Sequence, residues 1–186
     1  MELYTERMHL RPVRVSDGDS LYRIYGDPET QTFNPAGPYP DLAYAKRVLA
    51  GWLTHWQAFG FGTWAIKLNR GPEAIIGFGG LSVRPLGDRV INNLGYRFAA
   101  DAWGMGLATE FARAAVAAGF GALGLAEISA TVRENHLSSQ RVLIKAGLVR
   151  AGSIDDVPGH VPSLLFTLRA GDYDPGKNAA GAPPGR

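Results

Sequence analysis

Apolar residues change their spacing several times along this chain, and each change predicts an element. Residues 8–15 alternate in part through Leu10 and Val13, an opening strand in which Pro12 marks an edge or a strand end. Leu21, Tyr22, Ile24 and Tyr25 then recur at helical spacing. Ser16 is the expected N-cap, with Asp19 three residues on, and Gly26-Asp27-Pro28 ends the helix. Residues 32–40 combine Pro35, Pro38 and Pro40 with Phe33 and Tyr39, a composition for an ordered but irregular loop. Asp41 resembles the cap of a second helix, whose apolar stripe is Ala45, Leu49, Trp52, Leu53 and Trp56. Residues 62–68, 74–84 and 90–98 predict three strands of a meander, with turns at 69–72 and 85–88. An Ala-rich run reaching Phe120 has strong helix propensity and is closed by glycines from 121 to 124. Residues 126–132 predict a strand and 135–146 a helix with Gly147 at its boundary. Residues 148–154 and 161–168 close the domain as two strands around a turn at 155–159.

Length and composition add boundaries to this pattern. At 186 residues the chain is expected to form one domain, over residues 1–171. The remainder, 172–186, is Gly, Ala, Pro and polar and lacks the apolar residues to fold, so a disordered tail is expected. A hydrophobic content of 46% with 19% charge describes a soluble globular protein rather than a disordered one. A net charge of only +2, with scattered basic residues, argues against nucleic acid or an anionic membrane as the main partner. There is no apolar run of spanning length and no signal-peptide pattern, so the cytoplasm is the expected compartment. The absence of cysteine excludes disulfides, a thiol nucleophile and sulfur-ligated zinc. His9, His55, His136 and His160 show no metal-ligand spacing, and no metal is expected.

The stretch richest in chemistry lies between the 90–98 strand and the Ala-rich helix: Trp103-Gly104-Met105-Gly106-Leu107-Ala108-Thr109-Glu110. A strand feeding a glycine turn that opens a helix is a device for holding phosphate. Glycines let backbone approach the ligand, and first-turn amides lack internal partners at the positive end of the helix dipole. A P-loop would need Lys-Ser/Thr after the glycines, and no lysine follows Gly106. A dinucleotide fingerprint would need a small third residue where Thr109 stands. The spacing suits instead a pyrophosphate lying across several consecutive amides.

With that turn in place, the whole order of elements resembles the Gcn5-related N-acetyltransferase (GNAT) superfamily, and within it the ribosomal-protein N-terminal acetyltransferase (RimJ/RimL-like) branch. The resemblance spans about residues 4–173. It rests on Thr5-Glu6-Arg7-Met8-His9-Leu10-Arg11-Pro12, on Ile76-Gly77-Phe78-Gly79-Gly80-Leu81, on Leu94-Gly95-Tyr96, on the glycine turn, and on Asn135-x-x-Ser138-Ser139-Gln140-Arg141-Val142-Leu143-x-Lys145-x-Gly147. It implies an α/β (α+β) acyl-CoA N-acyltransferase fold: a mixed, mostly antiparallel seven-stranded sheet with about four helices. The family's fourth and fifth strands, here 90–98 and 126–132, splay apart to admit the pantetheine arm of acetyl-CoA. Trp103 stands where the broad superfamily has Gln or Arg but fits the narrower branch. The resemblance assigns Tyr96, Phe98, Trp103, Gly104, Met105, Gly106, Leu107, Ala108, Thr109, Asn135 and Ser138 to the cofactor. The family serine falls on Ser138 counted from Asn135 and on Ser139 counted back from Gly147.

The implied reaction is acetyl transfer to a primary amine, either a protein N-terminal α-amine or a small-molecule amine, by direct attack in a ternary complex. Ser138 or Ser139 would serve the leaving sulfur. Phe33, Tyr39, Trp56 and Asn93 are the expected acceptor contacts. In this branch a glutamate often precedes the Gly-Tyr pair by two residues. Here that residue is Asn93, which cannot take a proton at neutral pH. Asp101, Glu110, Glu127, His55 and His136 are the candidate replacements, and spacing does not choose among them. Asn93 also raises a second reading, a catalytically silent acyl-CoA-binding sensor of the same fold. A monomer or homodimer is expected.

Overall fold

The computed structural model describes residues 1–178. Its strands are β1 (Leu3–Tyr4), β2 (Met8–Pro12), β3 (Thr63–Leu68), β4 (Ile75–Leu86), β5 (Arg89–Phe98), β6 (Glu127–Arg133), β7 (Val149–Ile154) and β8 (Ser163–Arg169). The main helices are α1 (Gly18–Tyr25), α2 (Leu42–Phe59), α3 (Leu107–Phe120) and α4 (Leu137–Lys145), with one further turn, α5 (Pro175–Asn178). All eight strands form one sheet in the order β1-β2-β3-β4-β5-β6-β8-β7. Every pairing is antiparallel except that of β5 with β6.

The mixed α/β class is as expected, with one strand more than the seven anticipated. The additional β1 is two residues long, too short to carry a period. It pairs Leu3 with Leu10 and Tyr4 with His9, and the Tyr4 and His9 rings stack 4.3 Å apart. That pairing makes β2 an inner strand, so Pro12 marks its end rather than an edge. Ser16 does not cap α1. The Asp17 carboxylate accepts from the Arg14 backbone N–H (2.7 Å) and from both terminal nitrogens of Arg11 (2.8 and 2.7 Å). This buried ion pair fastens β2 to the start of α1. The Asp41 cap is present, accepting from the Tyr44 N–H at 2.7 Å. β4 continues through Pro85 and Leu86, so its turn to β5 tightens to Gly87 and Asp88. α4 begins at Leu137, leaving Asn135 in the turn before it. At the C-terminus, residues 170–178 form a 3-10 turn and α5, and Tyr173 packs on Phe120 with ring centroids 5.0 Å apart. The rest of the expected tail, 179–186, lies outside the described residues.

Each face of the sheet carries its own apolar layer. α3 and α4 cover one face, where Phe111, Val116, Ile128, Leu143 and Phe166 belong to the larger cluster. α1 and α2 cover the other through Leu21, Ile24, Leu49, Ala65 and Phe78. Removing a side chain such as Phe111, fully buried here, from water stabilises the fold by about 1.5–3 kcal/mol. The alternation of β5 sends Leu94, Tyr96 and Phe98 toward α3, and Asn93, Gly95 and Arg97 toward α1 and α2.

Candidate active site: a cleft through the sheet

β5 and β6 meet at a single register pair, Asn93 with Ser129, reinforced by the Asn92 side-chain amide donating to the Glu127 carbonyl at 2.9 Å. Beyond that point the two parallel strands have no further register pair. β6 is held along its other edge by β8, from Glu127↔Arg169 to Arg133↔Ser163. β5 is held along its other edge by β4 up to Gly77↔Phe98. The facing edges of Leu94–Phe98 and Ala130–Arg133 therefore border a gap. A cavity of about 880 Å³ fills it and is lined from both faces of the sheet.

On the α3 side the cavity wall includes Trp103, Gly104, Gly106, Leu107, Ala108 and Thr109. Gly104 (φ 76°) and Gly106 (φ 75°) both take left-handed backbone, which only glycine adopts without strain. Gly106 is the N-cap of α3 and supplies no side chain to it. The first intrahelical bond runs from Glu110 N to Gly106 O (3.1 Å), so the amides of Leu107, Ala108 and Thr109 have no helical acceptor. These bare amides at a helix N-terminus, with glycines where side chains would obstruct, fit the pyrophosphate of a CoA ester. The indole of Trp103 donates to Phe98 O at 3.0 Å, spanning the base of the turn.

A residue far away in sequence fastens this turn. Arg7 donates its backbone N–H and its Nε to the two Glu110 oxygens (2.9 and 2.6 Å), and its Nη1 to Met105 O (2.7 Å). Burial alone would raise the Glu110 carboxyl. The Thr5 hydroxyl and the two Arg7 groups outweigh it and hold the carboxyl below its ordinary range. Arg7 stands 103 positions from Glu110, so no local signal in the sequence joins them.

Farther along, Tyr96 reaches across the gap to α4. Its hydroxyl lies 2.9 Å from Ser139 Oγ, and burial pushes its pKa up to about 12 despite that hydrogen bond. Ser138 and Ser139 both line the cavity. Asn135 lies instead in a shallower neighbouring hollow with Phe33 and Arg133, and the Met105 side chain is exposed.

The α1/α2 side is polar where the other is apolar. Among the described residues, five buried side-chain atoms lack any hydrogen-bond partner: Arg84 Nε, Asn93 Oδ1, Arg97 Nη1, Ser129 Oγ and Asp156 Oδ1. Asn93 and Ser129 face each other across β5 and β6, and all but Ser129 line the cavity. Native proteins pair nearly all buried polar atoms, so four orphans lining one cavity form an arrangement whose hydrogen bonding a ligand can complete. Phe33 and Tyr39 line the same side, with Phe33 stacked on the His136 ring at 3.9 Å and 10°. Trp56 does not join them. Its indole donates to Thr63 O at 2.7 Å and its ring packs edge-on against Trp64, because its position on α2 faces β3. Trp52, one turn earlier, takes its place beside Tyr25.

The five candidate bases separate on geometry. Glu110 is bound to Arg7. Glu127 meets Arg169 at 3.3 Å, and Asp101 is exposed on the turn before Trp103. His55 donates from Nδ1 to Phe61 O and accepts at Nε2 from the Val83 N–H, both at 2.9 Å, which leaves neither nitrogen free. None of these four lines the cavity, and His136 does. Burial and the nearby Arg97 charge lower its pKa, so the ring is neutral at neutral pH and able to accept a proton.

A split mixed sheet with a bare helix N-terminus at one end of the gap and unsatisfied polar groups at the other is the arrangement that the resemblance to N-acyltransferases implies. Residues 7–149 match the acetyltransferase (GNAT) domain family, and the chain belongs to that family. An uncharacterised N-acetyltransferase, p20, of Bacillus licheniformis is 25% identical over 154 residues, covering 83% of this chain and 85% of its own. An acetyltransferase structure from Agrobacterium tumefaciens superposes with a TM-score of 0.74 at 26% identity, covering 91% and 94% of the two chains. The RimJ protein of Mycobacterium smegmatis, solved with CoA-disulfide, superposes at 0.71 with 22% identity, covering 89% of this chain and 83% of its own. That neighbour belongs to the branch whose motifs the sequence resembles.

Proposed function

We propose that this acetyltransferase moves the acetyl group of acetyl-CoA to a primary amine by direct attack in a ternary complex. The observation that carries the reading is the cleft itself. One opening offers helix-terminal amides to a pyrophosphate, the other offers orphaned polar atoms to an acceptor, and the gap between β5 and β6 joins them.

In this reading the amides of Leu107, Ala108 and Thr109 hold the pyrophosphate, and the free β5 edge beyond Asn93 holds the pantetheine arm. Asn93 Oδ1 accepts from the amine and positions it. An α-amine, with a pKa of about 7.7–8.0, is already partly neutral at physiological pH, so a weak base suffices for it. His136, neutral and on the cavity wall, is the proton acceptor that the geometry favours, directly or through water. The amine nitrogen bonds to the thioester carbonyl carbon, the carbon–sulfur bond breaks, and the nitrogen's proton leaves toward His136. Tyr96, whose pKa of about 12 makes it a reluctant acid, donates a hydrogen bond to the departing sulfur. Its contact with Ser139 favours Ser139 over Ser138 as the serine that completes this group.

Calorimetric titration with acetyl-CoA, followed by thiol release against amines and N-terminal peptides, tests the proposal. Binding followed by amine-dependent thiol release is the expected outcome. Binding with no release against any amine would favour the silent sensor, which no comparison supports, and no binding would overturn the assignment of the glycine turn.

A further inference from the structure

The orphaned atoms of the acceptor side are of two kinds, and their arrangement specifies more than an amine. Asn93 Oδ1 is an acceptor suited to the N–H groups of an amine, whereas Asp156 Oδ1, beyond hydrogen-bond geometry, already faces Arg133 Nη1. Arg84 Nε and Arg97 Nη1 are cationic donors with nothing to receive them. Three guanidinium groups line this cavity, from Arg84, Arg97 and Arg133. Arg133 lies 3.5 Å from Asp156, and the same carboxylate acts on Arg84, whose Nη2 also donates to Thr131 Oγ1 at 2.7 Å. The remaining carboxylate on the wall, Glu29, is exposed to solvent.

Arg97 stands apart from the other two. Among the described residues no carboxylate forms an ion pair with it, and its guanidinium lies over the Tyr25 ring, 4.9 Å from the centroid. An aromatic face holds a guanidinium in place without using its N–H donors, which leaves the planar edge free for a ligand. Four positions separate Arg97 from Asn93 on one face of β5, about 13 Å between Cα atoms at the rise of a strand, with the arginine side chain available to shorten that span.

Building on the acetyl-transfer reading above, we propose that the acceptor is a small amine that also bears an anionic group, a carboxylate or a phosphate, and that Arg97 receives this group while Asn93 receives the amine. A planar guanidinium binds either anion through paired N–H donors, so the chemistry is shared and the acceptor panel must separate the two. The unpartnered Arg84 Nε adds a second donor at the far end of the same wall.

The test uses pairs matched except for the anion, compared at equal concentrations of the neutral amine so that the anion's effect on the amine pKa is removed. Glycine and β-alanine are compared with their carboxamides, and phosphoethanolamine with ethanolamine, by thiol release at saturating acetyl-CoA. The expected result is a KM lower by about tenfold or more for the charged member of at least one pair, and the favoured pair says whether the anion is carboxylate or phosphate. Arg97→Gln should bring the members of that pair to within about twofold of each other, and Arg97→Lys should retain part of the preference as a point charge. Equal KM values within every pair, a preference that survives Arg97→Gln, or faster transfer to uncharged N-terminal peptides than to any charged small amine would overturn the proposal. If thiol release is absent with every amine, acetate and inorganic phosphate are titrated into the CoA-loaded protein. Binding in the unsubstituted chain that is lost in Arg97→Gln supports the anion site, and no binding overturns it. Acetyl-CoA affinity, measured separately for each variant, reports on folding and on the donor site, so failure there is distinguishable from failure here.

Discussion

The two mouths of the cleft, which the proposed reaction would use together, are built from different materials. The α3 mouth is made of backbone: left-handed glycines, amides of a first helical turn, and an apolar floor that includes Leu94, Leu107 and Leu143. Its ionic fastening, Arg7 with Glu110, is not among the residues that line the cavity and acts on the shape of the turn. The opposite mouth is made of side chains drawn from the 32–40 loop, β4, β5, β6 and the turn before β8, with several of their polar atoms left unmatched. Backbone amides recognise a pyrophosphate regardless of the surrounding residue types, which suits a donor common to a family. Side chains can be exchanged without disturbing the fold, which suits an acceptor particular to this protein.

Substitutions on the two sides should therefore fail differently. The largest effect is expected at Gly106. An aspartate there would strain left-handed backbone and set a carboxylate against the pyrophosphate, so Gly106→Asp should weaken acetyl-CoA binding by about a hundredfold or more. Calorimetry checks this, and unchanged affinity would mean that the turn does not hold phosphate. Asn93→Ala comes next and should do the opposite. Acetyl-CoA affinity stays within about twofold, while kcat falls by about a hundredfold through lost positioning of the amine. A rate that does not change with the true acceptor would remove Asn93 from the site. Tyr96→Phe keeps the ring packed on Phe111, 5.9 Å between centroids, and deletes only the hydroxyl. Its kcat should fall by about tenfold, with Ser139→Ala costing more than Ser138→Ala. The reverse order of the two serines would reassign the group that attends the sulfur.

The same contrast explains what was legible beforehand. The donor mouth is contiguous in sequence, since Trp103 to Glu110 supplies the whole turn, and periodicity placed the strand before it and the helix after it. The parallel contact at Asn93 and Ser129 is what turns those elements into a cleft, and the expected splay of 90–98 from 126–132 anticipated it. The acceptor mouth gave less warning. Arg84, Arg97 and Asp156 sit in unremarkable strand and loop contexts, and only the pairing of Ser82 with Asn93 and of Asn93 with Ser129 brings their elements to one face. Trp52 and Trp56 share a helical stripe, and periodicity alone could not say which would turn toward the cavity and which toward Thr63. The Ser16 cap failed for a similar reason: Asp17 takes the N-cap position of α1, with its carboxylate drawn to the buried guanidinium of Arg11, six positions away, and to the Arg14 N–H, so neither side chain caps the helix.

The smallest expected effect is also the most direct probe of the acceptor mouth's electrostatics. His136 is partly buried beneath Phe33 and lies in the field of Arg97. Burial first, and the Arg97 charge second, hold its pKa below the ordinary 6.5. In the unfolded chain both influences vanish, so on acidification the unfolded state takes up its proton first. The stability attached to this residue is therefore complete above about pH 6.5 and declines as pH falls through the lower folded value. Following the ring proton resonances of His136 by NMR gives the folded value directly, and it should lie below 6.5. Phe33→Ala opens the ring to water and should raise it toward 6.5. Arg97→Gln removes the lesser cause and should raise it by a smaller amount. If the His136 titration sits at or above 6.5 and neither substitution moves it, then Phe33 does not shield the ring and Arg97 does not face it. The acceptor mouth would in that case be open and solvated.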